Sequence, residues 1–227
     1  MKKFLFIIAT LILCLSATAQ DAYDNAPAKE RFAIGFKVAP AVSWISPNSD
    51  NTSSDGSSLK FNWGFTVKYI LTENFSLVSG FNVNGLGGDL KFVNNDVRFA
   101  SENKFSAFEI PLSFRLTTEP FFEKYFFFAQ VGLSANYVFN PRLKYSAIPA
   151  ELTLNIDEDK SLNRFVFAYN LALGAEYQMT AKMALTTHIL FNNSLTSLLR
   201  SNRYRVDGNR IGGTYNFVEL GIGVMFY

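Results

Sequence analysis

From Arg31 onward, large apolar residues recur at every second position. In the first such run Phe32, Ile34, Phe36, Val38, Val42 and Trp44 alternate with Ala33, Gly35, Lys37, Ala39, Ala41 and Ser43. A period of two belongs to β-strands, whose successive side chains point to opposite faces. The run therefore predicts a strand with one greasy face and one small or polar face.

Seven more runs repeat the pattern. They carry Leu59 to Tyr69, Phe75 to Val83, Phe108 to Leu116, Phe127 to Tyr137, Phe165 to Tyr177, Met183 to Phe191 and Val218 to Phe226. Eight strands of about ten residues suit the wall of a tilted barrel that spans a bilayer. The connections alternate in length. Ser46–Ser58, Gly85–Lys104, Asn140–Leu162 and Asn193–Arg210 read as long polar loops, while Leu71–Asn74, Thr118–Lys124 and Thr180–Lys182 read as short turns. Long loops outside the cell and short turns in the periplasm is the arrangement of outer-membrane barrels.

A soluble β-sandwich or a ligand-binding barrel would show the same period with its greasy face turned inward. Three features favour the membrane. The greasy face is too large for a narrow interior, and the opposite face is rich in Gly, Ala and Ser, which suits a small lumen. The third is an export signal. Lys2 and Lys3 precede the apolar run Phe4 to Leu15, which is too short to span a bilayer as a helix, and Ala17-Thr18-Ala19 forms an A-x-A cleavage site. The expected organisation is a signal peptide over 1–19, a short periplasmic segment over 20–30 and the barrel over 31–227. Trp44 and Trp63 are expected at the outer rim, with Tyr69, Phe75, Tyr177 and Phe226 at the periplasmic rim, as two aromatic girdles.

Composition narrows the chemistry. Aromatics make up 16% of the chain, including 24 Phe, so apolar content is spread residue by residue, with no later run long enough for a spanning helix. The one cysteine, Cys14, lies in the leader, and the large Leu13 before it argues against lipidation there. With one histidine, His188, neither a zinc site nor a histidine-based triad is expected. Net charge is +2 without a basic block, which argues against nucleic acid. No cofactor and no enzymatic activity are expected.

The polar face carries Lys37, Lys60, Lys68, Arg115 and Arg164 together with Glu109, Glu176 and Glu219. Charges in a narrow lumen must be compensated, so each carboxylate is expected to meet a basic partner. The network could be a salt-bridged plug or a proton or ion path, and eight strands leave room mainly for side chains. Pro40 and Pro111 cannot donate a ladder hydrogen bond and predict a bulge or a carbonyl satisfied by water. Gly85-Leu86-Gly87-Gly88 lacks the ending of a phosphate loop. Arg200, Arg203, Arg205 and Arg210 fall in the last long loop, either as contacts for lipopolysaccharide phosphates or as a solvated basic stretch. His188 with Ser194 suggests a hydrolase, but no suitable acid accompanies them on the strand.

Phe108-Glu109-Ile110-Pro111-Leu112-Ser113-Phe114-Arg115 resembles the aromatic-x-E-I-P-L-x-x-K/R strand of the PorT-like, or porin-family, outer-membrane barrels of Bacteroidetes. Phe128 to Ser134 resembles that family's next strand, and Leu171 to Tyr177 its G-x-G-x-E-Y strand. The chain departs from it at His188 to Leu195, where the family often carries an R-Y pair. At the C-terminus Phe226, not Tyr227, is expected to face lipid. The resemblance implies an outer-membrane barrel, with partners in a gliding and secretion apparatus for one branch; outer-membrane lipid and lipopolysaccharide are the other expected partners.

The reading that follows is a transmembrane antiparallel up-and-down β-barrel of eight strands with a side-chain-filled lumen, acting as a structural or interaction barrel that presents surface loops. A narrow porin-like channel for small solutes is the alternative.

Overall fold

The structure, a computed structural model, describes residues 31–48, 52–94, 97–122, 124–148, 162–199, 205–206, 209–210 and 212–227. The expected leader and periplasmic segment at 1–30 lie outside these residues. The described strands are β1 Phe32–Pro47, β2 Thr52–Ile70, β3 Phe75–Asn94, β4 Val97–Thr117, β5 Tyr125–Ile148, β6 Phe165–Thr180, β7 Met183–Ser194, β8 Arg205–Val206, β9 Asn209–Arg210 and β10 Gly213–Phe226. Eight of them close a barrel in the order β1-β10-β7-β6-β5-β4-β3-β2, each antiparallel to its neighbours, and β8 and β9 form a separate two-stranded hairpin. The chain is thus an all-β, up-and-down barrel. Closure leaves no strand edge, so every wall strand can satisfy its backbone polar groups within the wall, as hydrocarbon demands.

The alternation resolves into two faces. In β1 the even residues are exposed or half-buried, and the odd residues from Ala33 to Ile45 are largely buried. The same alternation, in each strand's own register, puts Phe65, Phe114, Leu133, Phe167, Leu173, Ile189 and Leu220 on the outside with much of their surface uncovered. An apolar belt running around the whole wall far exceeds the patch a water-soluble monomer exposes, and lipid is what covers it.

The outer ends of the wall differ from the sequence reading. β2 to β5 continue into stretches expected to be loops, and the β3–β4 ladder runs from Phe75↔Leu116 to Asn94↔Val97. In these extensions polar residues such as Asp89, Ser101 and Asn103 interrupt the hydrophobic alternation, while backbone pairing continues. Trp63 pairs with Val38, midway along β1, so it sits in the wall and not at the rim. At the short-turn ends the rings of Phe32 and Tyr69 lie 4.8 Å apart, and those of Tyr125 and Tyr177 lie 4.9 Å apart.

Both prolines interrupt a ladder without a bulge. Pairing between β1 and β10 skips from Val38↔Ile222 to Ala41↔Glu219, and between β3 and β4 from Ser79↔Leu112 to Asn82↔Glu109, with the register kept across each gap. The freed Pro111 carbonyl accepts from the Ser79 hydroxyl at 2.8 Å, so a side chain stands where a water was expected. The run Gly85 to Gly88 lets β3 cross close over β1. A Cβ on Gly88 would lie 2.6 Å from the Ile45 nitrogen, so only glycine permits this approach.

Candidate functional site

The lumen holds two layers of different chemistry. Toward the outer mouth Ala41, Ile45, Leu86, Leu90, Phe105, Ala107, Val138, Val166, Tyr215 and Phe217 form one apolar cluster. Leu162, Leu198 and Leu199 join it from the connections beyond β5 and β7. They are held by an isolated bridge between Leu162 and Leu199 and by a 2.7 Å hydrogen bond from the Leu198 amide to the Gly213 carbonyl. This apolar plug was not anticipated, although the residues announce it. Phe105 shares the inward parity of Glu109, Phe217 that of Glu219, and Ile45 that of Lys37. Where large residues fall on both parities, an inward apolar layer is the consequence.

Below it lie the charges. The buried charged side chains among the described residues are Lys37, Lys68, Glu109, Arg115, Glu176 and Glu219. Glu176 on β6 takes an Arg115 Nη1 hydrogen bond at 2.5 Å and a Lys68 ammonium at 3.0 Å. The Tyr227 hydroxyl donates to Glu176 at 2.8 Å and accepts from Lys68 at 2.6 Å. Gln130 accepts from Arg115 Nε at 3.0 Å, and the guanidinium lies 4.0 Å from the Phe128 ring centre. One carboxylate thus neutralises two cations, and the remaining donors are taken up by neutral oxygens and an aromatic face. Phe226 faces outward and Tyr227 turns into the lumen, so the alternation holds to the end of β10.

A second group centres on Glu219 of β10. It pairs with Lys37 of β1, accepts from Asn62 at 2.8 Å and lies 3.2 Å from His188 Nε2. Gly221 makes room for the imidazole, since a Cβ there would fall 2.2 Å from the ring. An acid therefore does reach His188, from the neighbouring strand. Ser194 is engaged elsewhere, accepting from the Tyr215 amide at 2.9 Å, so no triad forms.

Glu109 corrects the expectation that each carboxylate meets a base. Among the described residues no basic side chain is within ion-pair distance of it. Asn82 and Asn84 donate to its Oε2 at 2.9 and 2.8 Å, and Asn192 donates to Oε1 at 3.3 Å. Amides can take over part of this role because a carboxylate accepting several N–H bonds is stabilised in its charged form.

Two predicted lumen residues stand apart from both groups of charges. Arg164 is exposed just before β6 begins, because the inward parity has no meaning outside the wall. Lys60 lies on the outer part of β2, where Lys104, Glu102 and Asp89 are its charged neighbours. Of the loop arginines, Arg200 and Arg203 fall outside the described residues, while Arg205 and Arg210 are cross-strand partners in the β8–β9 hairpin. A void of about 50 Å³ remains between the two groups of charges, lined in part by Lys37, Glu109, Arg115 and His188. It has room for a few waters and no larger solute.

A closed eight-stranded wall with an apolar outer belt and a packed lumen defines an outer-membrane β-barrel of Gram-negative bacteria, seated in the lipid bilayer. The model of the outer membrane protein beta-barrel domain family matches residues 18–200, and the chain belongs to that family. A search of curated proteins finds no match. Among solved structures the fold is similar to Neisserial surface protein A (NspA), with 13% identity and a TM-score of 0.52 over 87% of this chain and 97% of that one. Weaker likenesses include OprG from Pseudomonas aeruginosa, at 12% identity and TM-score 0.43 over 86% of this chain and 95% of that one. Ail from Yersinia pestis has 9% identity and TM-score 0.39 over 86% of this chain and 98% of that one.

Proposed function

We propose that the protein is a closed, non-conducting barrel that anchors its outer strand extensions and loops at the cell surface for interaction, without enzymatic activity. The reading rests on the lumen, where an apolar plug lies above a layer of buried, hydrogen-bonded charges and the void of about 50 Å³ admits only water. An ion crossing the plug would give up its hydration among leucine, phenylalanine and isoleucine side chains, which offer nothing in return. Proteins of a secretion apparatus are the partners that the PorT-like resemblance of Phe108 to Arg115 supports. Lipopolysaccharide phosphate is a fitting partner for the loop arginines, since guanidinium binds phosphate bidentately. The test is single-channel recording of the purified protein in a planar bilayer. No steady current above background is expected, and a reproducible open level would replace this reading with the narrow solute channel.

A further inference from the structure

A bulge gives the outer end of β5 a face that the strand below it lacks. From Val131 to Tyr137 the odd residues of β5 point outward. Between Phe139 and Arg142 the β4–β5 register takes up one extra residue on β5, and Asn140 adopts a φ of 50° there. An extra residue of this kind reverses the parity of everything beyond it. Arg142 and Lys144 are therefore exposed, where unbroken alternation would have aimed them into the lumen. Their direct partners on β4 are Lys104 and Glu102.

We propose that this outer face of β4 and β5 binds a phosphate group of the outer-leaflet glycolipid, lipopolysaccharide, through Lys104, Arg142 and Lys144. The charges do not balance here. Lys60, Lys104, Arg142 and Lys144 meet only Asp89 and Glu102, because Lys91 is paired with Asp55. Two positive charges are left over, and a phosphate monoester brings about −1.5 to −2 at neutral pH. Glu102 is bonded to Lys104, and among the described residues no ion pair holds Arg142 or Lys144. A guanidinium fork matches phosphate bidentately, and an ammonium adds a point charge beside it. The surface below is suited to the rest of such a lipid. The next outward row, Ser106 and Phe139, lies about 7 Å down the strands. Phe139 stacks on Phe108 with ring centres 4.2 Å apart, and Phe108 on Phe81 at 5.4 Å. The cations thus stand at the upper edge of the apolar belt, as a lipid's phosphate stands above its acyl chains. The inference rests on the proposed placement of the strand extensions at the cell surface, and it assigns phosphate to the wall as a site separate from the last loop.

The experiment is equilibrium binding of lipid A to the full chain folded in detergent micelles. EDTA is present, so that no divalent cation bridges phosphate to Asp89 or Glu102. Bisphosphorylated lipid A should bind about tenfold more tightly than the same lipid stripped of its phosphates. Arg142→Gln with Lys144→Gln should remove most of that preference, and both side chains are exposed enough to be changed without harm to the fold. Arg205→Gln with Arg210→Gln in the loop hairpin should leave it intact. Inorganic phosphate should not compete, because it has no acyl chains to lay against Phe108 and Phe139. Equal binding of the two lipids overturns the proposal, and so does full competition by inorganic phosphate. A preference lost in the loop pair and kept in the wall pair also overturns it, while upholding the loop arginines as the phosphate contact. Micelles have no sidedness, so these outcomes are independent of the barrel's orientation. If protease mapping on intact cells inverted that orientation, the face would lie in the periplasm and the proposal would fall with the topology.

Discussion

Glu176 is the only carboxylate within reach of both Lys68 and Arg115 among the described residues, so the members of this cluster are not equivalent. Arg115→Met leaves Glu176 with Lys68 and the Tyr227 hydroxyl, and its charge stays compensated. Glu176→Gln strands two buried cations side by side. We therefore expect Glu176→Gln to cost about 3–5 kcal/mol and Arg115→Met clearly less. The combined change should be less harmful than the sum of the two. Urea unfolding in detergent measures all three. Equal losses for the two single variants, adding in the pair, would mean that the lumen is wet enough to solvate each charge separately.

At the scale of the strand, β4 serves three environments along one backbone. Its outward face meets lipid at Phe114, which is 57% exposed. Phe114→Arg should cost about 2–4 kcal/mol or block assembly, because a guanidinium near the midplane of the bilayer is poorly solvated. Ser113→Arg points the other way, into a buried site where Ser113 donates to Asn170 at 3.0 Å, and should act through crowding. Folding yield into lipid vesicles separates the two, and a harmless Phe114→Arg would place this face against something other than lipid.

The outer half of the same strand faces Asp89 across the β3–β4 ladder, where Asp89 and Glu102 are direct partners. Burial first, and then the nearby Glu102 and Asp55 carboxylates, hold the Asp89 carboxyl above its ordinary range, while Lys104 and Lys60 pull the other way. A raised carboxyl binds its proton more tightly in the folded state. Its contribution to the hairpin is therefore fully present below the free aspartate value and lost as pH rises through the folded one. Asp89→Asn should increase amide protection of the outer β3–β4 hairpin at neutral pH. In acid, variant and natural chain should converge. Hydrogen exchange across that range checks the sign, and a decrease in protection at neutral pH would reverse it.

For the whole molecule the prediction concerns orientation. A protease site inserted between β1 and β2, at residues 49–51, should be cut on intact cells. One inserted in the turn Leu71–Asn74 should be protected until the outer membrane is opened. The barrel is asymmetric, with strands that extend far beyond the apolar belt at one end only. The opposite pattern of cleavage would invert the topology.

The eight wall strands, their inward and outward faces and the membrane as solvent were all written in the local order of residues. A side-chain period of two is set by the backbone itself, and a face such as Phe108, Ile110, Leu112 and Phe114 has one meaning wherever the strand lies. That Lys37, Lys68, Glu109, Arg115, Glu176 and Glu219 point inward followed from the same parity. Which charges meet did not, because Lys68 and Glu176 stand 108 residues apart and the pairing depends on strand order, stagger and closure. Glu109 shows the limit most clearly. Its position on the inner face was legible, but only the assembled barrel sets Asn82 and Asn84 of β3 and Asn192 of β7 around it and leaves it without a base among the described residues. Tertiary structure likewise decided that Ile45, Leu86, Phe105 and Phe217 would gather into a plug, and that Arg164 would lie outside the wall. Parity assigns a side chain to a face, and only closure of the sheet brings the inner faces together across the lumen.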